Sequence, residues 1–202
     1  MPASPKPPWS DARRGLALGV LGVLIFAMTV PMTRLAVGDA SDPQLPPLFV
    51  TAGRAALAGV LSVFYLLAVR AARPTRRQAL PLAISALGTV FGFPLSLALA
   101  LREVDAMHAA VVTGLMPLST AVIAALVLHQ RPSRGFWVCA VAGCALVLMF
   151  AAWQGGGAVS MGDGYLLLAV LFTGMGYVAG AKVAVDMPAP QVICWVLVIS
   201  LP

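Results

Sequence analysis

Seven apolar runs dominate this chain, and six of them are long enough to cross a bilayer: residues 15–37, 47–69, 79–101, 106–128, 135–152 and 164–185. A seventh starts near Gln191 and continues to Pro202. A bilayer core needs roughly 20 apolar residues of helix, within about 17–25. The runs are apolar on all faces rather than along one stripe, as expected of helices surrounded by lipid. Composition agrees. The chain is 60% hydrophobic and only 10% charged, with a mean hydropathy of +0.95. A soluble chain is nearer to about 45–50% apolar and about 25% charged. The expected fold is therefore all-α, a polytopic membrane protein with about seven helices present.

The cations fix a direction. With the N-terminus placed inside, the inner set is Lys6, Arg13, Arg14, Arg70, Arg73, Arg76, Arg77, Arg131, Arg134 and Lys182, against Arg34 and Arg102 outside. Such a bias marks the cytoplasmic side. Asp39, Asp42, Glu103, Asp105 and Asp163 all fall on the other side. The segment HQRPSRG is then a tight cytoplasmic turn between the fourth and fifth helices, ended by Pro132. Trp9, Trp137 and Trp153 sit at span edges, where interfacial aromatics belong. The net charge of +6 is thus a topology signal, and a nucleic-acid partner is not expected. Residues 1–14, Pro-rich and basic, are expected to be a disordered cytoplasmic tail before a retained first helix. The first run is too long for a signal peptide, and more runs follow it.

Cys139, Cys144 and Cys194 lie inside apolar runs, are odd in number, and form no CxxC pair. A disulfide framework is not expected. The sequence has no HExxH, no GxSxG and no P-loop GxxxxGK[ST]. Neither His108 nor His129 lies deep in a span, and no acid lies near a span centre. No enzyme, metal site or cofactor is expected.

The first and sixth spans resemble each other. Arg34-Leu-Ala-Val closes the first and Lys182-Val-Ala-Val the sixth, at an offset of 148 residues. Leu18/Leu166, Val30/Val178, Ala36/Ala184 and Val37/Val185 are identical at that offset. Five helices separate the two starts, so a second copy must enter from the opposite side. Inverted repeats are a hallmark of secondary transporters, whose substrate site lies near the midplane between the repeats.

Four stretches carry a family resemblance. They are PMTRLAV closing the first span, PPLFVTAGRAALAGVL with an arginine early in the second, LALREVDAMHAAVVTGLMPLSTAVIAALVL with a mid-span proline, and HQRPSRGFWVCAVAGCALVLMF. In their order and spacing the chain resembles the EamA-domain family of the drug/metabolite transporter superfamily. That resemblance implies ten helices in two inverted five-helix repeats, with both termini cytoplasmic. Residues 15–152 would be the first repeat, and 164–202 the truncated start of the second. The chain is then a fragment or a truncated protein. The family usually has a glutamate where Gln130 stands, which puts any role of that carboxylate in doubt.

The candidate substrate-binding residues are Thr29, Thr33, Arg54, Thr113, Pro117, Thr120, Thr173 and Tyr177. Arg54 lies inside a span, where a charge costs about 2.5–3.5 kcal/mol at the centre. It either anchors by snorkelling to the outer edge or serves gating or anion attraction. Pro31, Pro94 and Pro117 each remove a helix N–H and free a carbonyl one turn back, giving a packing kink or a lining for the solute path. Thr113, Ser119 and Thr120 surround Pro117. Thr29 and Thr33 share a face at i, i+4, as do Thr173 and Tyr177, and the two faces are expected to meet near the pseudo-two-fold axis. Their hydroxyls either serve a solute or bond back to their own helices.

Gly15-xxx-Gly19, Gly88-xxx-Gly92 and Gly176-xxx-Gly180 are close-packing faces, with homodimerisation as the other reading. His108, beside Glu103 and Asp105, is read as a solvated surface residue, with proton coupling as the sharper alternative. The leading function is a secondary transporter, an exporter or permease of small metabolites, amino acids or drug-like solutes in the cytoplasmic (inner) membrane, by alternating access. The alternative is a truncated, non-transporting membrane protein or assembly partner.

Overall fold

The computed structural model describes residues 8–129, 132–154 and 160–201. The first seven residues and Gln130 lie outside them. The described chain is helical: α1 (Pro8–Ala27), α2 (Thr29–Val37), α3 (Pro47–Ala68), α4 (Arg76–Ala86), a π-helical segment (Leu87–Gly92), α5 (Phe93–Glu103), α6 (Ala106–Thr113), α7 (Met116–Val127), α8 (Arg134–Gln154), α9 (Met161–Val183) and α10 (Ala189–Ile199). Among the described residues the backbone pairing outside helices is an isolated bridge, Gly38 to Pro43. Five segments are long and apolar enough to cross a membrane: Gly15–Val37, Pro47–Ala68, Arg76–Glu103, Ala106–Val127 and Met161–Val183. Arg134–Val147 and Ala189–Ile199 are shorter apolar helical stretches. The protein is an integral, polytopic membrane protein. Within the described residues the first helix runs from Pro8, seven residues before the apolar run, and a proline is accommodated in a first helical turn.

Three of the expected mid-span prolines coincide with breaks. Pro31 cannot bond to Ala27, and the helix is interrupted at Met28. Pro117 cannot bond to Thr113, and Gly114 and Leu115 separate α6 from α7. Pro94 follows the π-helical segment, where the Phe93 N–H reaches back five residues to the Gly88 carbonyl. Each break lies near the middle of its span. They also border one core: Phe93 and Leu115 are buried in it with Leu97, Leu101 and Leu166, and the partly buried Val30 and Met116 pack against it. Phe26, just before the first break, stacks on Phe93 at a centroid distance of 6.2 Å.

The sixth span, α9, is the hub and packs on α4, the π segment, α5, α6 and α7. Small residues allow the closest crossing. A Cβ on Gly88 would lie 2.8 Å from the Gly176 Cα, and one on Gly176 would lie 2.6 Å from the Thr89 Cγ2. Two of the three expected glycine faces therefore pack against each other within the chain. Gly15 and Gly19 have nothing within 4 Å. Much of α1 is exposed, with Leu16, Val23 and Leu24 each more than half accessible, as suits a lipid-facing surface.

The two ends of the bundle differ in charge. One end gathers Asp39, Glu103, Asp105 and Asp163 around a single cavity. The other brings Arg77, Lys182 and Asp186 together.

Candidate functional site

The candidate residues do not line one cavity. Thr29, Thr33 and Arg54 face a common space of about 350 Å³ between the first two spans. Tyr177 lines a second, of about 460 Å³, with Ser85, Thr89 and residues of α10. Pro117 lines a third, of about 430 Å³, against Phe136, Cys139 and Cys144 of α8. The expected meeting of the Thr29/Thr33 and Thr173/Tyr177 faces in one cavity is not what the packing produces. The face of α9 that carries Thr173 turns instead into α5 and α7, leaving Thr173 1% exposed.

The hydroxyls separate into two groups. Thr113 Oγ1 donates to the Ala110 carbonyl (2.9 Å), Thr120 to Met116 (2.9 Å) and Thr173 to Ala169 (2.8 Å). Ser119 donates across to the Val170 carbonyl of α9 (3.1 Å) and ties two helices together. Their hydrogens are engaged by the backbone, and for Thr173 this is the alternative the sequence already offered. Among the described residues, the hydroxyls of Thr29, Thr33 and Tyr177 have no such partner, and neither does the Arg54 guanidinium.

A larger cavity, about 770 Å³, lies at the acidic end and was not anticipated as a site. It is built by the turn after α2, the turn after α5 and the start of α9. Arg34, at the end of α2, donates to the Leu101 carbonyl and to that of Val104 (3.3 Å), which the C-terminus of α5 leaves free. It also pairs with Asp39 at 3.3 Å. The Ser41 hydroxyl, the N–H groups of Asp42 and Ser41, and Arg34 hold the Asp39 carboxyl below its ordinary value of 3.8. Arg102 donates to the Leu45 carbonyl (3.1 Å). Both cations on this side are thus bound to backbone oxygens.

His108 departs from the expectation of a solvated residue. Its Nε2 lies 2.6 Å from Asp163 Oδ1, and both side chains are mostly covered. Asp163 also caps α9 reciprocally with Ser160. One carboxylate therefore starts α9 and holds it to α6. The two residues are 55 apart in sequence, and only the capping pattern Ser-x-x-Asp could have drawn attention to Asp163. Among the described residues no cluster of His, Cys, Asp and Glu could hold a metal.

A bundle of apolar helices, three of its spans broken near the middle, with mainly apolar cavities beside the breaks and a polar one at one end, suits a membrane transporter. The chain belongs to the EamA-like transporter family, whose model matches residues 13–152. It is 47% identical over 184 residues to a curated protein of Bacillus subtilis (strain 168) named "Uncharacterized transporter YdeK". That match covers 91% of this chain and 62% of the relative, so the chain spans less than two thirds of that protein's length. No solved structure matches.

Proposed function

We propose that the chain works as part of a secondary transporter that exports small metabolites, amino acids or drug-like solutes across the cytoplasmic membrane. The basic end, with the N-terminus, faces the cytoplasm. The solute passes by alternating access through a site between two inverted repeats. Residues 15–152 form the first repeat, and 164–202 begin the second.

One observation carries this reading: three spans are broken at prolines near mid-depth, and the breaks meet around a single buried cluster. Interrupted helices are tolerated in a membrane where they line a cavity or are covered by protein, and they build the sites of many secondary transporters. Beside the first break lies the cavity with Thr29, Thr33 and Arg54, three of the four candidates whose polar groups have no partner among the described residues. It is the primary candidate for the solute site. Tyr177 and Pro117 are placed in second position, at the neighbouring cavities.

The test is solute counterflow with the full-length protein in liposomes, using a labelled panel of amino acids and amphipathic organic acids and bases. Exchange above that of empty vesicles is the expected result. A properly inserted protein that exchanges no member of the panel refutes the reading. Cysteines placed at Arg73 and Ser41 test orientation, since an impermeant thiol reagent should label the second from outside and spare the first.

A further inference from the structure

We propose that the cavity between the first two spans binds the oxyanion head of a small amphipathic solute, with Arg54 as its counter-charge and Thr29 and Thr33 as added hydrogen-bond donors. This rests on the reading of that cavity as the solute site.

At the acidic end Arg34 is held by Asp39 and two carbonyls, Arg102 by a carbonyl, and Asp163 by His108. Arg54 stands apart. It is seven residues into α3, about 10 Å along the helix from Pro47 at about 1.5 Å per residue. Among the described residues the lining of the space it borders contains no carboxylate: Thr29, Thr33 and the apolar side chains of Ile25, Met28, Met32 and Val50 form the walls, and Arg54 stands exposed at the edge. Glu103 and Asp105 line a different cavity. A cation at membrane depth calls for an anion, and among the described residues none lines this space.

The donors are arranged to help. Thr29 and Thr33 are one turn apart on α2 and present their hydroxyls on one face. Unlike those of Thr113, Thr120 and Thr173, these hydroxyls are not engaged by the helix backbone. A guanidinium offers a planar fork of N–H groups that fits a carboxylate or phosphate in two parallel hydrogen bonds. The remaining walls are aliphatic and thioether groups, which suit an apolar body. A volume of about 350 Å³ lies at the small end of the usual range for ligand pockets, roughly 300–1,000 Å³. A single ring or short chain bearing one oxyanion fits those terms. The same chemistry is found in a lipid headgroup, so the test must separate the two.

The full-length protein is purified in a neutral detergent, and its melting temperature is followed with phenylacetate, phenethylamine and 2-phenylethanol as probes. Phenylacetate should raise the melting temperature in a saturable way, and the amine and alcohol should not. Arg54→Gln should weaken the apparent affinity by about ten- to a hundredfold, the range for losing a charge-assisted hydrogen bond. If that variant fails to fold, Thr33→Val gives the same answer with a smaller loss, about three- to tenfold. Equal shifts with the amine or alcohol, or an undiminished phenylacetate response in Arg54→Gln and in Thr33→Val, overturn the proposal. So does a protein stabilised through Arg54 by added phosphatidylglycerol and not by phenylacetate, which assigns the arginine to lipid. Counterflow on the same preparations separates the two claims. Exchange that is indifferent to solute charge and to Arg54 refutes the oxyanion site and leaves transport standing. Binding through Arg54 without any exchange does the reverse.

Discussion

Gly88→Ala adds one methyl group where the backbones of the π segment and α9 cross closely. The new Cβ would lie 2.8 Å from the Cα and N of Gly176 and close against the Phe172 carbonyl oxygen. Comfortable carbon contacts are about 3.5–4.0 Å, so the two helices must part by about 1 Å. The obstructing atoms are backbone, and no rotamer change relieves them. Overpacking of this kind costs about 1–3 kcal/mol. Replacing a helical glycine by alanine returns about 0.5–1 kcal/mol. The net expectation is a loss of about 1–2 kcal/mol. At about 2–4 °C per kcal/mol for a chain of this size, the melting temperature should fall by roughly 2–8 °C. The assay is size-exclusion chromatography of heated, detergent-solubilised protein. Gly15→Ala and Gly19→Ala are the controls: with nothing within 4 Å of either Cβ, they should melt no lower than the parent. A Gly88→Ala protein as stable as the parent would refute the close crossing of α9 and the π segment.

Three further outcomes follow from the acidic end. Arg34→Gln should cost about 1–3 kcal/mol, because the α5 carbonyls lose a charged donor, and a melt unchanged from the parent would show that water serves them equally well. Ser160→Ala should cost about 1 kcal/mol as a lost helix cap, and Asp163→Ala should cost more, since it removes both the cap and the link to His108; equal losses would mean that the His108 contact contributes nothing. Asp39, with its carboxyl held below 3.8 in the folded protein, stabilises the turn above that pH and loses its effect as pH falls through its lower folded value. Melting curves of the parent and Asp39→Asn should therefore differ at pH 7 and converge below about 3.8, and a constant gap would contradict the assigned cause.

The spans were legible because hydropathy is a property of the stretch itself, and each of the five long segments overlaps an expected one. The breaks were legible from Pro31, Pro94 and Pro117, since a missing N–H acts locally. The hydroxyls were not. Thr33 and Thr113 look alike in sequence, and only the surrounding packing decides whether a hydroxyl turns to its own carbonyl or to a cavity. His108 looked solvated because its partner lies on another helix, 55 residues away. The two outer cations looked like exceptions to the charge bias, and their carbonyl partners at the ends of other elements could not be read from spacing. Residues 29 and 177 were paired by repeat offset, but each lines a cavity whose other walls come from different helices.

The π segment also bears on how this chain is compared with its relatives. A hydrogen bond that spans five residues rather than four inserts one residue into the turn. One residue of α-helix corresponds to about 100° of rotation and about 1.5 Å of rise. The same span serves two cores on either side of the insertion: Leu82, Ala86 and Val90 before and at it, Leu97 and Leu101 after it. Deleting any one residue of Leu87–Gly92 would leave length, hydropathy and charge almost unchanged. The π turn would absorb the loss by relaxing to an α turn, so that Leu97 and Leu101 still face Leu166, whereas the same deletion in α4 or α5 would turn everything beyond it by about 100°. In an alignment, a single gap at this place therefore signals a π turn replaced by an α turn with both inner surfaces kept, whereas the same gap one turn away signals a re-registered helix.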